Sequence, residues 1–209
     1  NLSNPKLIVP QMTNHVNDLK FHLELFGYSE DKILSLNLPG HKPCNVLYKI
    51  PKLYYPSPTA YPSQISKGGR DYLNSKYSKL CSNEKEETKL YLKRPSAKSR
   101  SVLNDEEIIK FLKDEGFTIV SGKEGIREHI KLFKNASIII GAHGSLFRNM
   151  IFCEKSPVVY ELCPSTRIDY NFLGISKTLD MNYNWLKVEA DEYFNISIDI
   201  DFLHNILKK

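Results

Sequence analysis

An open parallel α/β sheet of the doubly wound, Rossmann-like kind is the fold predicted by this sequence, on three observations. Strand-like apolar runs alternate with helical stretches of about 10–15 residues from end to end. Two of the runs, Ser-Ile-Ile-Ile-Gly at 137–141 and Pro-Val-Val-Tyr-Glu-Leu at 157–162, are apolar without alternation, as expected of parallel strands buried on both faces. The chain has 209 residues, 41% hydrophobic and 25% charged, which suits a sizeable core and a globular protein.

Taken in order, Lys-Leu-Ile-Val-Pro (6–10) reads as a strand and 15–28 as a helix closing at Gly27. Strands are expected at Lys32–Asn37 and over 45–57, bounded by Pro, Gly and Asn. A proline-rich loop (56–63) precedes a helix over 70–81. The charged stretch 82–89 has no apolar face and marks a boundary, giving an amino-terminal segment 1–84 and a nucleotide-binding domain 85–209. Beyond it, 89–93 is a short strand. Asn104 followed by Asp105, Glu106 and Glu107 forms a capping-box arrangement for a helix ending near Gly116. Residues 117–120 make the next strand, and Ile126, Ile130 and Phe133 lie at helical spacing. Trp185, Leu186 and Val188 mark a late strand, and 200–208 a terminal helix.

The balance of 29 Lys+Arg against 24 Asp+Glu gives +5, which favours anionic ligands without demanding nucleic acid. No apolar run approaches the ~20 residues of a membrane span. Four cysteines (Cys44, Cys81, Cys153, Cys163) show no metal-ligand spacing; Cys153 and Cys163, in apolar company, are expected to be buried free thiols, and the setting reducing and cytoplasmic. The Asn-x-Ser triplets at Asn135 and Asn195 read as chance matches in an Asn-rich chain. The sequence begins at Asn1, without methionine or a signal-like segment, as a piece of a longer protein would. Were it such a piece, the secretory-pathway lumen is the alternative location.

Three stretches carry chemistry. The 138–141 run ends in Gly141-Ala142-His143-Gly144-Ser145. In doubly wound sheets ligands bind outside the carboxyl ends of strands, where a following helix offers free N–H groups to an anion. Gly141 and Gly144 permit close backbone approach, Ser145 can cap or donate, and His143 can meet a phosphate or sugar hydroxyl. A plain tight turn with a solvent-facing histidine is equally compatible. Glu161, one strand along, stands where such folds place a ribose-binding acid, or it merely closes its strand. The loop 93–104 holds Lys93, Arg94, Lys98 and Arg100 with three serines and no acid. Its arginine forks match diphosphate oxygens, although a basic surface loop has the same composition. Asn104 is accounted for by helix capping alone.

In this order, YLKRPSAKSRSVLNDEEI, EGFTIV, HIKLFKNASIIIGAHGSLFRNMIF and VVYELCP resemble the carboxyl-terminal half of glycosyltransferase family 61. Arg94, Arg100, Asn104, Gly141, His143, Gly144, Asn149, Phe152, Glu161 and Pro164 fall on that family's pattern, over about 85–165 and loosely to 190. The resemblance implies an inverting, metal-independent hexosyl- or pentosyltransferase of the GT-B type, built from two Rossmann-like domains. It implies a UDP-sugar as donor substrate, no further cofactor, and a glycan or protein-linked glycan as acceptor. Arg94 and Arg100 would lie on the diphosphate, the turn with His143, Gly144, Ser145 and Asn149 near phosphate and sugar, and Glu161 on the ribose.

The chain departs from the family where Ser145 and Leu146 replace a small pair, which narrows the donor pocket, and where Asp105 replaces a Glu. No counterpart of the family's aromatic- and histidine-containing amino-terminal segment is evident, so the acceptor-side domain would be incomplete. A catalytically incomplete nucleotide- or anionic-glycan-binding domain is the alternative. For the base, His143 is the candidate by residue type, with Asp71 and Asp169 as fallback carboxylates. The Asp199-x-Asp201 pair sits at a helix mouth, where acids are expected without a metal. The absence of GxGxxG argues against a dinucleotide-dependent oxidoreductase, and Tyr54, Tyr55 and Tyr61 lack the basic neighbours of a nucleic-acid surface.

Overall fold

A computed structural model of the chain describes residues 6–10, 16–36, 52, 65–80, 86–94, 99–167 and 169–208. The strand expected over 45–57 (Lys52 apart), the loop 56–63, Cys44, Cys81 and Lys98 lie outside them. The chain divides into two compact units, Asn1–Pro58 and Thr59–Lys209.

The first unit is a β-α-β arrangement. β1 (Leu7–Pro10) pairs in parallel with β2 (Ile33–Leu36), and α1 (Val16–Leu25) connects them. Gly27 ends the helix at φ 84°, a left-handed position that costs glycine least.

In the second unit, α2 (Lys67–Tyr77) starts earlier than periodicity suggests, because Ser66 Oγ accepts from Gly69 N at 3.1 Å and caps it. Five strands follow: β3 (Thr88–Leu92), β4 (Phe117–Val120), β5 (Ala136–Ala142), β6 (Val158–Pro164) and β7 (Asn182–Val188). All pair in parallel, in the order β4-β3-β5-β6-β7. The connecting helices are α3 (Asp105–Asp114), α4 (Ile126–Lys134) and α5 (Leu173–Thr178), and α6 (Ile200–Leu207) follows β7. The parallel α/β sheet expected from the apolar runs is the one observed. Leu90, Ile139, Ile140, Val159 and Leu162 are fully buried, as the absence of alternation requires. One face of the core joins Tyr91, Ile140 and Leu162 of the strands to Ile108 and Leu112 of α3 and Leu203 of α6. Among the described residues no helix is long and apolar enough to cross a membrane.

The strand order matters for function. The chain winds from β3 outward to β4, then crosses to β5 and continues the opposite way. That reversal leaves a crevice between the carboxyl ends of β3 and β5, the position where doubly wound sheets take ligands.

Candidate functional site

The close approach of β3 and β5 explains the glycines of the turn. A Cβ on Gly141 would stand 2.8 Å from the Leu92 carbonyl oxygen and 2.9 Å from its Cβ. A Cβ on Gly144 would stand 2.7 Å from Arg94 Nη1. That nitrogen donates to the His143 carbonyl at 2.5 Å, so the turn is built to admit a guanidinium against its backbone.

His143 itself is buried between two acids. Its Nδ1 lies 2.5 Å from Glu161 Oε1, and its Nε2 lies 3.2 Å from Asp169 Oδ2. Glu161 is 0% exposed, and its second oxygen accepts from the Tyr183 hydroxyl. Burial raises the Glu161 carboxyl above its usual range, although the hydrogen bond and charge of His143 pull the other way. Asp169 Oδ1 accepts from Asn171 N at 3.1 Å, and Arg167 Nη2 stands 3.5 Å from Oδ2. Two sequence expectations do not fit this geometry. A sealed Glu161 with both oxygens engaged offers no approach to a ribose. His143, with both ring nitrogens committed, has none free to accept a proton directly from a hydroxyl.

Arg94 is half-buried, and its pKa is depressed by burial first, then by the charges of Arg100 and Arg167. Its Nε is buried with no hydrogen-bond partner among the described residues. The two arginines singled out in the sequence are therefore together, with Arg167 as a third. Arg100 sits at φ 61°, the left-handed region that favours glycine, at a cost of roughly 1–2 kcal/mol. A distant segment holds it there: Arg100 N donates to Tyr193 O at 3.0 Å, and Ser101 N to Asn195 Oδ1 at 2.9 Å. Phe194, on that segment, is also left-handed at φ 63°.

The capping box expected at Asn104 is not formed as drawn. Asn104 makes no side-chain cap bond, because its amide is used across the fold. Its Nδ2 donates to Ile198 O at 2.8 Å and its Oδ1 accepts from Ile198 N at 3.0 Å, with Glu107 Oε2 3.1 Å from Nδ2. Asn104 thus fastens the end of the basic loop. Asp105 accepts from the Tyr91 hydroxyl at 2.8 Å and pairs with Lys93 at 3.2 Å, which occupies that lysine.

Past the turn, Ser145–Phe152 forms a 3-10 helix with Gly144 as its N-cap. Ser145 is exposed at its start. Asn149 points elsewhere, with Nδ2 3.5 Å from His129 Nδ1. The other ring nitrogen of His129 lies 3.1 Å from Glu124 Oε2, and Glu124 also accepts from Ser121 N, Ser121 Oγ and Gly122 N, each at 2.7 Å. Burial opposes ionisation of Glu124 most strongly of any single influence. The hydrogen bonds from Ser121 and its other partners together outweigh it and hold the carboxyl at about 2.

Two hollows flank the end of β5 and share Ala142. One is a cavity of about 220 Å³ at the β3–β5 crevice, lined by Leu92, Lys93, Arg94, Gly144, Ser145 and Leu146. The other is a slot of about 10 Å³, walled by Arg100, His143, Arg167, Asp169 and Phe194 among others. The ligand atoms of His143, Glu161 and Cys163 lie within 4.8 Å of one another and could hold a cation. Doing so would require breaking the His143–Glu161 hydrogen bond. Asp199 caps α6, its Oδ1 accepting from Asp201 N at 2.7 Å, which accounts for that acid pair structurally.

Sequence reading missed Arg167, Tyr183, His129 and Glu124, and held Asp169 only in reserve. Arg167 and Asp169 follow directly on β6, outside its carboxyl end, and that position was a usable signal. The His129–Glu124 pairing had no comparable signal.

Compared with known proteins, residues 4–160 match the family model described as Glycosyltransferase 61. The match starts near the amino terminus, well before the stretch on which the resemblance rested. No curated protein matches the chain.

Proposed function

Because the chain belongs to glycosyltransferase family 61 and so acts as a glycosyltransferase, we propose that its site transfers a sugar from a UDP-sugar to a glycan hydroxyl, with inversion and without a metal. The observation that carries this reading is the 220 Å³ cavity at the sheet's reversal point, with Arg94 on its wall and Arg100 and Arg167 within reach of Arg94's charge. A departing diphosphate accumulates negative charge, and preorganised donors aimed at it lower the barrier. Arg94 is half-buried and electrostatically disfavoured by its neighbours, so a dianionic group placed among them relieves mutual repulsion. Gly144, kept without a side chain, lets the Arg94 guanidinium lie against the backbone of the turn, on the wall of the cavity that the diphosphate would enter.

Inversion follows from in-line attack by the acceptor oxygen on the face of the anomeric carbon opposite the diphosphate. As proposed, the enzyme is of the GT-B type, in which a second domain brings the acceptor. Glu161, Asn104 and Asn149 act in this reading by holding His143, the basic loop and the 3-10 helix in place.

Calorimetric titration tests the reading. UDP should bind, while NAD and an oligonucleotide should not. EDTA should leave the UDP affinity nearly unchanged, and a tenfold loss, about 1.4 kcal/mol, would show a metal in the site. Binding of NAD in preference to UDP would overturn the donor assignment.

A further inference from the structure

We propose that Asp169 is the catalytic base, taking the proton of the attacking hydroxyl in the slot beside His143; this deepens the transferase reading above and rests on it. The slot's volume of about 10 Å³ is close to the minimum for one water. It therefore accepts a single hydroxyl and excludes a sugar ring. Ala142 lines both hollows, so a hydroxyl held in the slot lies across that one small residue from a donor held in the crevice.

Asp169 is the one carboxylate on the slot's wall among the described lining residues. Its side chain is 15% exposed, open to one small group yet largely dehydrated. Glu161 is sealed beneath, and His143 has no ring nitrogen to offer. Among the described residues each Asp169 oxygen has one partner or two weak ones, Asn171 N on Oδ1 and the His143 and Arg167 nitrogens on Oδ2. A carboxylate has about four lone-pair sites, so a place for the hydroxyl remains. The imidazole fixes the carboxylate's orientation, and Glu161 with Tyr183 fixes the imidazole. His143 is on this view a positioning residue.

The step balances without any further reactant. The acceptor oxygen forms a bond to the anomeric carbon, and its proton passes to the Asp169 carboxylate. The bond from the anomeric carbon to the β-phosphate oxygen breaks, and its electron pair stays on that oxygen, facing the arginines.

The test needs no identified acceptor, because water fits the slot. UDP release from UDP-glucose, UDP-N-acetylglucosamine and UDP-xylose is measured on the full chain, alongside UDP affinity by calorimetry. The wild type should release UDP slowly from at least one donor. Asp169→Asn should slow release at least about 100-fold, the lower range for loss of a general base, with UDP affinity within about twofold. Asp169→Glu, which keeps a displaced carboxylate, should fall between. Asp169→Asn releasing UDP at the wild-type rate overturns the proposal and leaves the donor reading intact. Equal loss of UDP affinity overturns it too, by making Asp169 structural, and so does a wild type that binds UDP and releases none. A wild type that binds no UDP overturns the donor reading first.

Discussion

Two buried histidines, each beside a glutamate, stand at neighbouring parts of the sheet's carboxyl edge in opposite electrical condition. At His129, Glu124 collects backbone and hydroxyl hydrogen bonds and stays ionised down to about pH 2. At His143, Glu161 is fully buried and its carboxyl is raised. Strain and unmet charge gather on the same side, with Arg100 and Phe194 left-handed and Arg94 depressed by its fellow arginines. The His129 region is settled, and its groups fasten the loop after β4 to the 3-10 helix. The His143 region holds electrostatic and conformational cost that the fold alone does not reward. Cost of this kind persists where a ligand or a reaction uses it.

Substitutions should separate the two regions. The largest effect is expected at Glu124, whose carboxyl falls from an ordinary 4.5 to about 2, an upper bound of about 3 kcal/mol of stability at neutral pH that solvent screening reduces. A depressed carboxyl contributes above its unfolded pKa and loses that contribution as pH falls. Urea unfolding should therefore show wild-type stability declining between about pH 4.5 and 2, and Glu124→Gln should remove that part of the decline. UDP affinity of this variant should be unchanged wherever it is folded. An unaltered stability would dissolve the contrast.

On the other side, Arg100→Ala should weaken UDP binding by roughly 1.5–3 kcal/mol, as loss of a charged hydrogen bond does. Arg100→Lys should recover only part, since the ammonium lacks the fork. Uridine, without phosphates, should bind both alike, and an equal loss for uridine would make Arg100 structural.

Arg100→Gly sharpens the comparison further. It should lose UDP as Arg100→Ala does, yet raise stability by up to about 1 kcal/mol, because glycine relieves the left-handed strain against its own entropic cost. Thermal unfolding measures this, and a fall would show that the loop's conformation carries no strain. The smallest change is expected at Glu161→Gln, which keeps the shape and removes a charge that burial disfavours. A raised carboxyl lowers stability as pH rises through the interval above its unfolded value, so at pH 7 the variant should be no less stable than wild type. A marked loss in urea unfolding at that pH would put Glu161 in the same class as Glu124.

Much of the architecture was legible because its signals are local. Unalternating runs gave β5 and β6, and helical spacing gave α4. Acids before an apolar face gave α3, and Asp199 read correctly as a helix-mouth residue. Arg94, Arg100, His143 and Glu161 were visible as residues, and they do gather in one place. Their roles were less legible. Spacing put Glu161 at the end of a strand, but the direction of its side chain, inward to His143, depends on which sheet face each residue takes. Asn104 and Asn149 looked like ligand groups because their partners, Ile198 and His129, lie far off in the chain. Pairings across 94 and 20 residues leave no local trace.

The long-range tie between the basic loop and the 190–198 segment bears on how the protein is made. Hydrogen bonds spanning 94 positions hold Ser101 and Asn104. While the chain is still emerging from a ribosome, the strands up to β6 and the His143 turn are all present before residue 195 exists. The nascent domain can thus assemble its sheet and still carry Arg100 on an untethered loop. On the proposed reading, competence for the nucleotide arrives late in synthesis, with the segment that ties down Arg100, Ser101 and Asn104. Closing so long a stretch is also entropically slow. A chaperone that recognises unfinished sheets would meet this loop as one of the last parts to set.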